Sequence, residues 1–169
     1  MGKIKIGGEK MNKKVLITII VVVLIAIVGV GAYMLLGKNA EAKNLDIEAA
    51  NQTLSNSTPF NELATMDVTE NELDAVFGIN AENVEKVAGK VPMMNVQASM
   101  YILIQAKEGT VETVQAELNK YAEQYEEQWS MYLPAQYELV QNRKTGVVGN
   151  TVYMIIAENA ETLEQEITK

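Results

Sequence analysis

The sequence predicts an α+β fold: one N-terminal transmembrane helix, then a two-layer α/β sandwich with an antiparallel sheet of about four strands. Three observations carry this. An uninterrupted apolar run extends from Val15 to Leu36. Two later segments, Ala98–Ala106 and Thr151–Ala157, are apolar on both alternating faces, as a central strand requires. Between them a long stripe from Val111 to Trp129 recurs at steps of three and four, the period of a helix with one apolar face.

The first run sets the location. Its 22 residues hold no charge, fifteen are Ile, Leu or Val, and Thr18 and Tyr33 carry its only hydroxyls. As a helix they reach roughly 33 Å, against roughly 30 Å of bilayer hydrocarbon. Lys3, Lys5, Lys10, Lys13 and Lys14 precede the run, opposed only by Glu9. The positive-inside rule then places residues 1–14 in the cytoplasm, 15–36 in the membrane, 37–44 as a short polar linker, and 45–169 outside as one α+β domain. Ala40-Glu41-Ala42 has the small-x-small pattern of a signal-peptidase site, but the run exceeds the roughly 7–15 apolar residues of a signal peptide, which favours a retained anchor. Two translation starts fit, Met1 and Met11, the latter opening a Met-Asn-Lys-Lys sequence typical of bacterial membrane proteins.

The extracytoplasmic elements follow in order. A first helix is expected over Leu45–Leu54, ended by Ser55–Pro59. Phe60, Leu63 and Met66 sit at helical spacing. Thr69 and Glu72 make a capping box that opens a short helix carrying Leu73, Val76 and Phe77, with Gly78 as its stop. Val84–Val91 reads as an edge strand, because Gly89 and Pro92 weaken it. Ala98–Ala106 is the central strand. After a Lys107-Glu108-Gly109 turn, Thr110 caps the long helix, which Leu133-Pro134 ends. Lys144–Val148 and Thr151–Ala157 form a hairpin about Gly149-Asn150. Asn159 caps a last helix through Leu163 and Ile167.

Composition removes several classes of chemistry. Residues 38–169 hold 9 Lys and Arg against 21 Asp and Glu, a net charge of −12, which opposes nucleic acid and anionic polymers. The chain has no Cys and no His, so disulfides, a lipid-bearing cysteine, tetrahedral zinc and Ser–His or Cys–His nucleophiles are unavailable. Asp67, Thr69 and Asn71 imitate the start of a calcium loop. Glu72 and Gly78, however, stand where such a loop needs Gly and Glu, and a helix cap is the better reading. Glu126-Glu127 could be half of a glycosidase carboxylate pair, but adjacent helix residues face apart, which points to a solvated face.

One stretch stands out. Trp129-Ser-Met-Tyr132-Leu133-Pro134 follows the Glu/Gln-rich helix, and a glycine-led strand, Gly149-Asn-Thr-Val-Tyr153, comes about fifteen residues after it. The pair resembles a Firmicute family of membrane-anchored or lipoprotein extracytoplasmic domains of unknown function, over roughly residues 45–169. The resemblance implies an envelope location and an α+β domain, and supplies no reaction.

These readings converge on a membrane-anchored, non-catalytic binding or accessory module of the bacterial cell envelope, with an envelope protein or peptide as partner and no cofactor, metal or nucleic acid. Trp129, Tyr132, Leu133 and Pro134 are the candidate interaction surface; the rest of the tyrosine stripe is read as core. The alternatives are a carboxylate-dependent envelope hydrolase and a passive structural protein.

Overall fold

The computed structural model describes residues 44–169. The span Val15–Leu36, the basic residues before it, the start at Met11, the pattern at Ala40–Ala42 and most of the linker lie outside the described residues. Among the described residues no helix is long and apolar enough to cross a membrane.

The elements run α1 (Ile47–Asn56), β1 (Thr65–Asp67), α2 (Glu70–Phe77), β2 (Val84–Pro92), β3 (Met100–Ala106), α3 (Val111–Trp129), α4 (Pro134–Gln141), β4 (Lys144–Val148), β5 (Thr151–Ile156) and α5 (Ala160–Thr168). The five strands form one sheet in the order β1-β2-β3-β5-β4, with every neighbouring pair antiparallel. The expected α+β class and antiparallel sheet are present, with five strands where about four were expected.

β3 is central, and its alternating faces build two cores. Met100, Ile102 and Ile104 pack with Val152, Met154 and Ile156 of β5 beneath Leu73, Phe77, Val114, Leu118 and Val140 of α2, α3 and α4. Tyr101, Leu103, Tyr153 and Ile155 face the other way, beneath Ile47, Ala50, Leu54, Leu163 and Ile167 of α1 and α5. Helices therefore cover both sides, and the two-layer expectation becomes three layers. Strands apolar on both faces need a cover on each.

Local signals place the helix ends. The Asp46 carboxylate accepts the Glu48 and Ala49 N–H groups at 3.0 and 3.1 Å, starting α1 two residues later than expected. The capping box forms, with the Glu72 carboxylate accepting the Thr69 N–H at 2.8 Å. Thr110 and Asn159 stand at their helix starts, but neither side chain caps. The Thr110 hydroxyl instead donates to the carbonyls of Asn83 and Lys107 at 2.8 and 2.9 Å. Gly149 takes φ +62° in the β4–β5 turn, a conformation that favours glycine.

Other expectations are corrected. β2 is not an edge strand, since β1 pairs outside it. Gly89 marks a close approach: a Cβ there would lie 2.5 Å from the Tyr101 carbonyl oxygen and 3.0 Å from the Ile102 Cα. Met66 belongs to β1 rather than to a helical stripe. Pro134 does not merely stop a helix; it opens α4 as a first-turn residue, where its missing N–H costs nothing. Glu126 is only partly solvated: its carboxylate meets Arg143 Nη1 at 2.6 Å and ties α3 to the end of α4, while Glu127 is exposed.

Gly89→Ala is expected to destabilise the domain by about 1–3 kcal/mol, since the methyl meets backbone that cannot swing aside. Urea unfolding of the two proteins checks it, and an unchanged midpoint would show that the close approach is not needed.

Candidate functional site

Helix α3 places one aromatic ring per turn along its apolar face, and the rings touch in series. Phe77 of α2 lies 4.7 Å from Tyr121. Tyr121 stacks on Tyr125 at 5.7 Å. Tyr125 meets Trp129 at 6.0 Å, and Trp129 meets Tyr132 at 5.7 Å. The first four rings are buried or half-buried, while Tyr132 is 48% exposed. The Tyr125 hydroxyl donates to the Ala98 carbonyl at 3.4 Å, and the Ala98 N–H donates to Gln136 Oε1 at 2.7 Å. These bonds bind the end of α3 and the start of α4 to the lead-in of β3.

The four residues singled out from the sequence divide. Trp129 is core, 3% exposed, and supports Tyr132 from below instead of forming surface. Its buried indole nitrogen closes no hydrogen bond. Tyr132, Leu133 and Pro134 are exposed, joined by Met131. Leu133 takes φ +47°, a left-handed conformation that costs a non-glycine residue about 1–3 kcal/mol. Its position before a proline makes that geometry less favourable still.

The sequence reading missed the rest of this surface. Met93, Met94 and Val96, in the β2–β3 loop, are exposed. They lie at the same end of the sheet as Trp129, because that loop leads into Ala98 and Met100. Met66 and Val76 are half-exposed nearby, at the mouth of a cleft of about 250 Å³ floored by Phe77, Met100, Tyr121 and Tyr125, with Glu72 at its lip. The adjacent Met93-Met94 pair was the signal available in the sequence. A smaller polar hollow of about 170 Å³, lined by Thr58, Gln97, Ser99, Gln136 and Asn159 among others, opens at the same end of the sheet.

Among the described residues no Asp or Glu is buried, and no cluster of three acidic side chains could hold a metal ion. Glu72 is held below the usual carboxylate range by its hydrogen bonds from Thr69, so it keeps its charge at the cleft. Exposed Met, Tyr and Leu side chains, by contrast, are adaptable apolar contact groups.

Burial governs the titration of four tyrosines. Burial raises Tyr121, aided by Tyr125, and raises Tyr125. Burial also raises Tyr101, with the charge of Asp67 adding to it, and Tyr153, whose hydroxyl donates to Glu164 at 2.8 Å. Each folded phenol holds its proton more tightly than its unfolded counterpart, which titrates near pH ~10. The stability these groups contribute is therefore complete below that pH. It is lost above it by about 1.4 kcal/mol per pH unit per group. Phenolate absorbance of these four is expected to rise together with loss of circular dichroism; titration of all tyrosines with the fold intact would refute their burial.

The comparisons with known proteins follow the same outline. A family model described as a domain of unknown function, DUF4358, matches residues 59–157. That range holds all five strands and α2, α3 and α4, and so the aromatic ladder, the cleft and the exposed rim. No curated protein and no solved structure matches the chain. Because the match covers more than half of the 169 residues, the chain belongs to the DUF4358 family.

Proposed function

We propose that this protein is a non-catalytic binding module of the bacterial cell envelope, tethered by the Val15–Leu36 span with residues 44–169 outside the cytoplasmic membrane. The apolar run and the lysine asymmetry support the tether. The resemblance carried by Trp129–Pro134 supports a Firmicute cell surface as the setting. The observation that carries the binding role is the end of the sheet at Met131–Pro134. There a strained exposed leucine and an exposed tyrosine stand on a buried ladder of rings, beside further exposed methionines. Strain held at an exposed position is a mark of a functional surface, and contiguous exposed apolar groups mark interaction sites.

The placement of the rim also supports a tethered binder. The chain enters the domain at Asn44, whose side chain accepts the Asn150 N–H at 3.3 Å beside the β4–β5 turn. The rim lies at the other end of the sheet, about 20 Å away along the seven residues of β3. A tether attached at Asn44 thus leaves the rim unobstructed by the attachment point. That no Asp or Glu among the described residues is buried counts against a carboxylate hydrolase, whose acid needs a buried setting to stay protonated.

A photo-crosslinking residue at position 132 is expected to trap a discrete adduct on intact cells, while one at Thr53, at the far end, traps none. Equal labelling from both positions would sink the binding role, and protection of a C-terminal tag from external protease would sink the orientation. Leu133→Gly is expected to raise stability by about 1 kcal/mol by relieving the backbone and to weaken the adduct at position 132. A variant that is more stable and cross-links equally well would show that the strain serves no contact.

A further inference from the structure

The outer edge of β1 and the cleft beside it have the features of a second, more specific binding element. Thr65, Met66 and Asp67 pair with Pro92, Val91 and Lys90 of β2. The ladder continues through Met93 N–H to Ala64 O at 3.0 Å and Val68 N–H to Gly89 O at 2.9 Å. In an antiparallel pair the inward-bonding residues alternate, so residues 64, 66 and 68 bond to β2. Thr65 and Asp67 then point their N–H and C=O groups away from the sheet. No backbone bond among the described residues reaches either of them from outside. This edge is open.

The side chain of Met66 shares a face with Val91, which packs on the α2–α3 core. A strand laid beside β1 would therefore hang every second side chain on the same face, over the cleft of about 250 Å³ floored by Phe77, Met100, Tyr121 and Tyr125. Main-chain bonds to an edge together with a pocket for alternate side chains are the two requirements for recognition by strand addition.

Charge selects the occupant. Glu62, Asp67, Glu70, Glu72 and Asp74 cluster along this stretch, and no Lys or Arg occurs between residues 44 and 85. Lys90 compensates one of them, with its Nζ 3.1 Å from Asp67 Oδ1. Glu72 stands at the cleft itself. Such an edge repels nucleic acid and anionic lipid. It repels a second copy of itself as well, because edge-to-edge pairing would bring two acidic stretches together. It attracts a cationic strand.

We propose that β1 and its cleft take an extended segment of a partner protein as a sixth strand. That segment places one large apolar side chain over Tyr121 and Tyr125 and carries lysine or arginine on both flanks. This rests on the reading of the domain as a binding module and names its partner's chemistry.

The test uses the full chain in detergent micelles and a fluorescent nine-residue peptide: alternating valine and threonine about a central phenylalanine, with two lysines at each end. The peptide is expected to bind saturably and to shift the Thr65 and Asp67 amide resonances. Thr65→Pro removes an outward donor and no bond to β2, and Val76→Glu puts a charge at the half-exposed cleft mouth. Each is expected to weaken binding about tenfold or more with the circular dichroism unchanged. Replacing the phenylalanine by alanine, or the lysines by glutamates, should do the same. Equal binding of the lysine and glutamate peptides, or binding that leaves the two amides unmoved, overturns the proposal. A concentration-dependent dimer dissolved by Thr65→Pro also overturns it, by assigning the edge to a second copy. Failure here with the adduct at position 132 intact leaves the binding-module reading standing. Loss of that adduct with peptide binding intact removes the rim and keeps the edge.

Discussion

Everything in this domain depends on β3 being unable to face water on either side. Met100, Tyr101, Ile102, Leu103 and Ile104 are all at most 1% exposed. At about 1.5–3 kcal/mol for each large apolar side chain buried, this one strand contributes on the order of 10 kcal/mol before entropy. That is as large as the whole net stability of an ordinary domain. Leaving either face open would forfeit about half of it. The three-layer architecture is therefore a consequence of five consecutive residues. Even the one polar atom among them is provided for, since the Tyr101 hydroxyl donates to Asn51 Oδ1 of α1 at 2.7 Å.

What the sequence revealed and what it hid follow from how far each signal is local. β3, β5, α3 and the Gly149-Asn150 hairpin were legible because their patterns of period 2 and 3.6 repeat several times within one element. β1 was hidden because three residues, Thr-Met-Asp, contain no pattern; the sheet makes it a strand by pairing. β2 was legible as a strand but misplaced at an edge, because Gly89 and Pro92 read as weaknesses. In the fold they are neither. Gly89 is small because β3 approaches it closely. On β2, residue 91 bonds outward to β1 and residue 92 points toward β3, whose ladder has already ended at the Lys90–Tyr101 pair, so the missing N–H of Pro92 goes unmissed. The candidate surface was half legible: an aromatic stripe shows in sequence, but which ring emerges at its end depends on where α3 stops and α4 begins.

That junction links packing to function. The rings from Phe77 to Trp129 fill the space between α3 and the sheet, so Tyr132 stands on a support fixed by the core. The Arg143–Glu126 ion pair is partly buried on both sides, which makes it worth more than an exposed pair. It ties the end of α4 to α3, beside the turn that carries the strained Leu133. On the proposed binding role, flexible methionines on a rigid base would keep adaptable side chains without the entropy cost of ordering a loop.

The extent of the family match separates two kinds of requirement in this chain. Residues 59–157 contain the whole sheet and the α2–α4 side, with the cleft, the ladder and the rim, but neither α1 nor α5. The side of the sheet under α1 and α5, bearing Tyr101, Leu103, Tyr153 and Ile155, needs apolar cover, and a pair of amphipathic helices with suitable spacing supplies it. The other side is more demanding. A left-handed Leu133 and an acidic edge at β1 are not part of that cover, and the first of them works against stability. On the proposed binding role, contact with a partner is what both would serve.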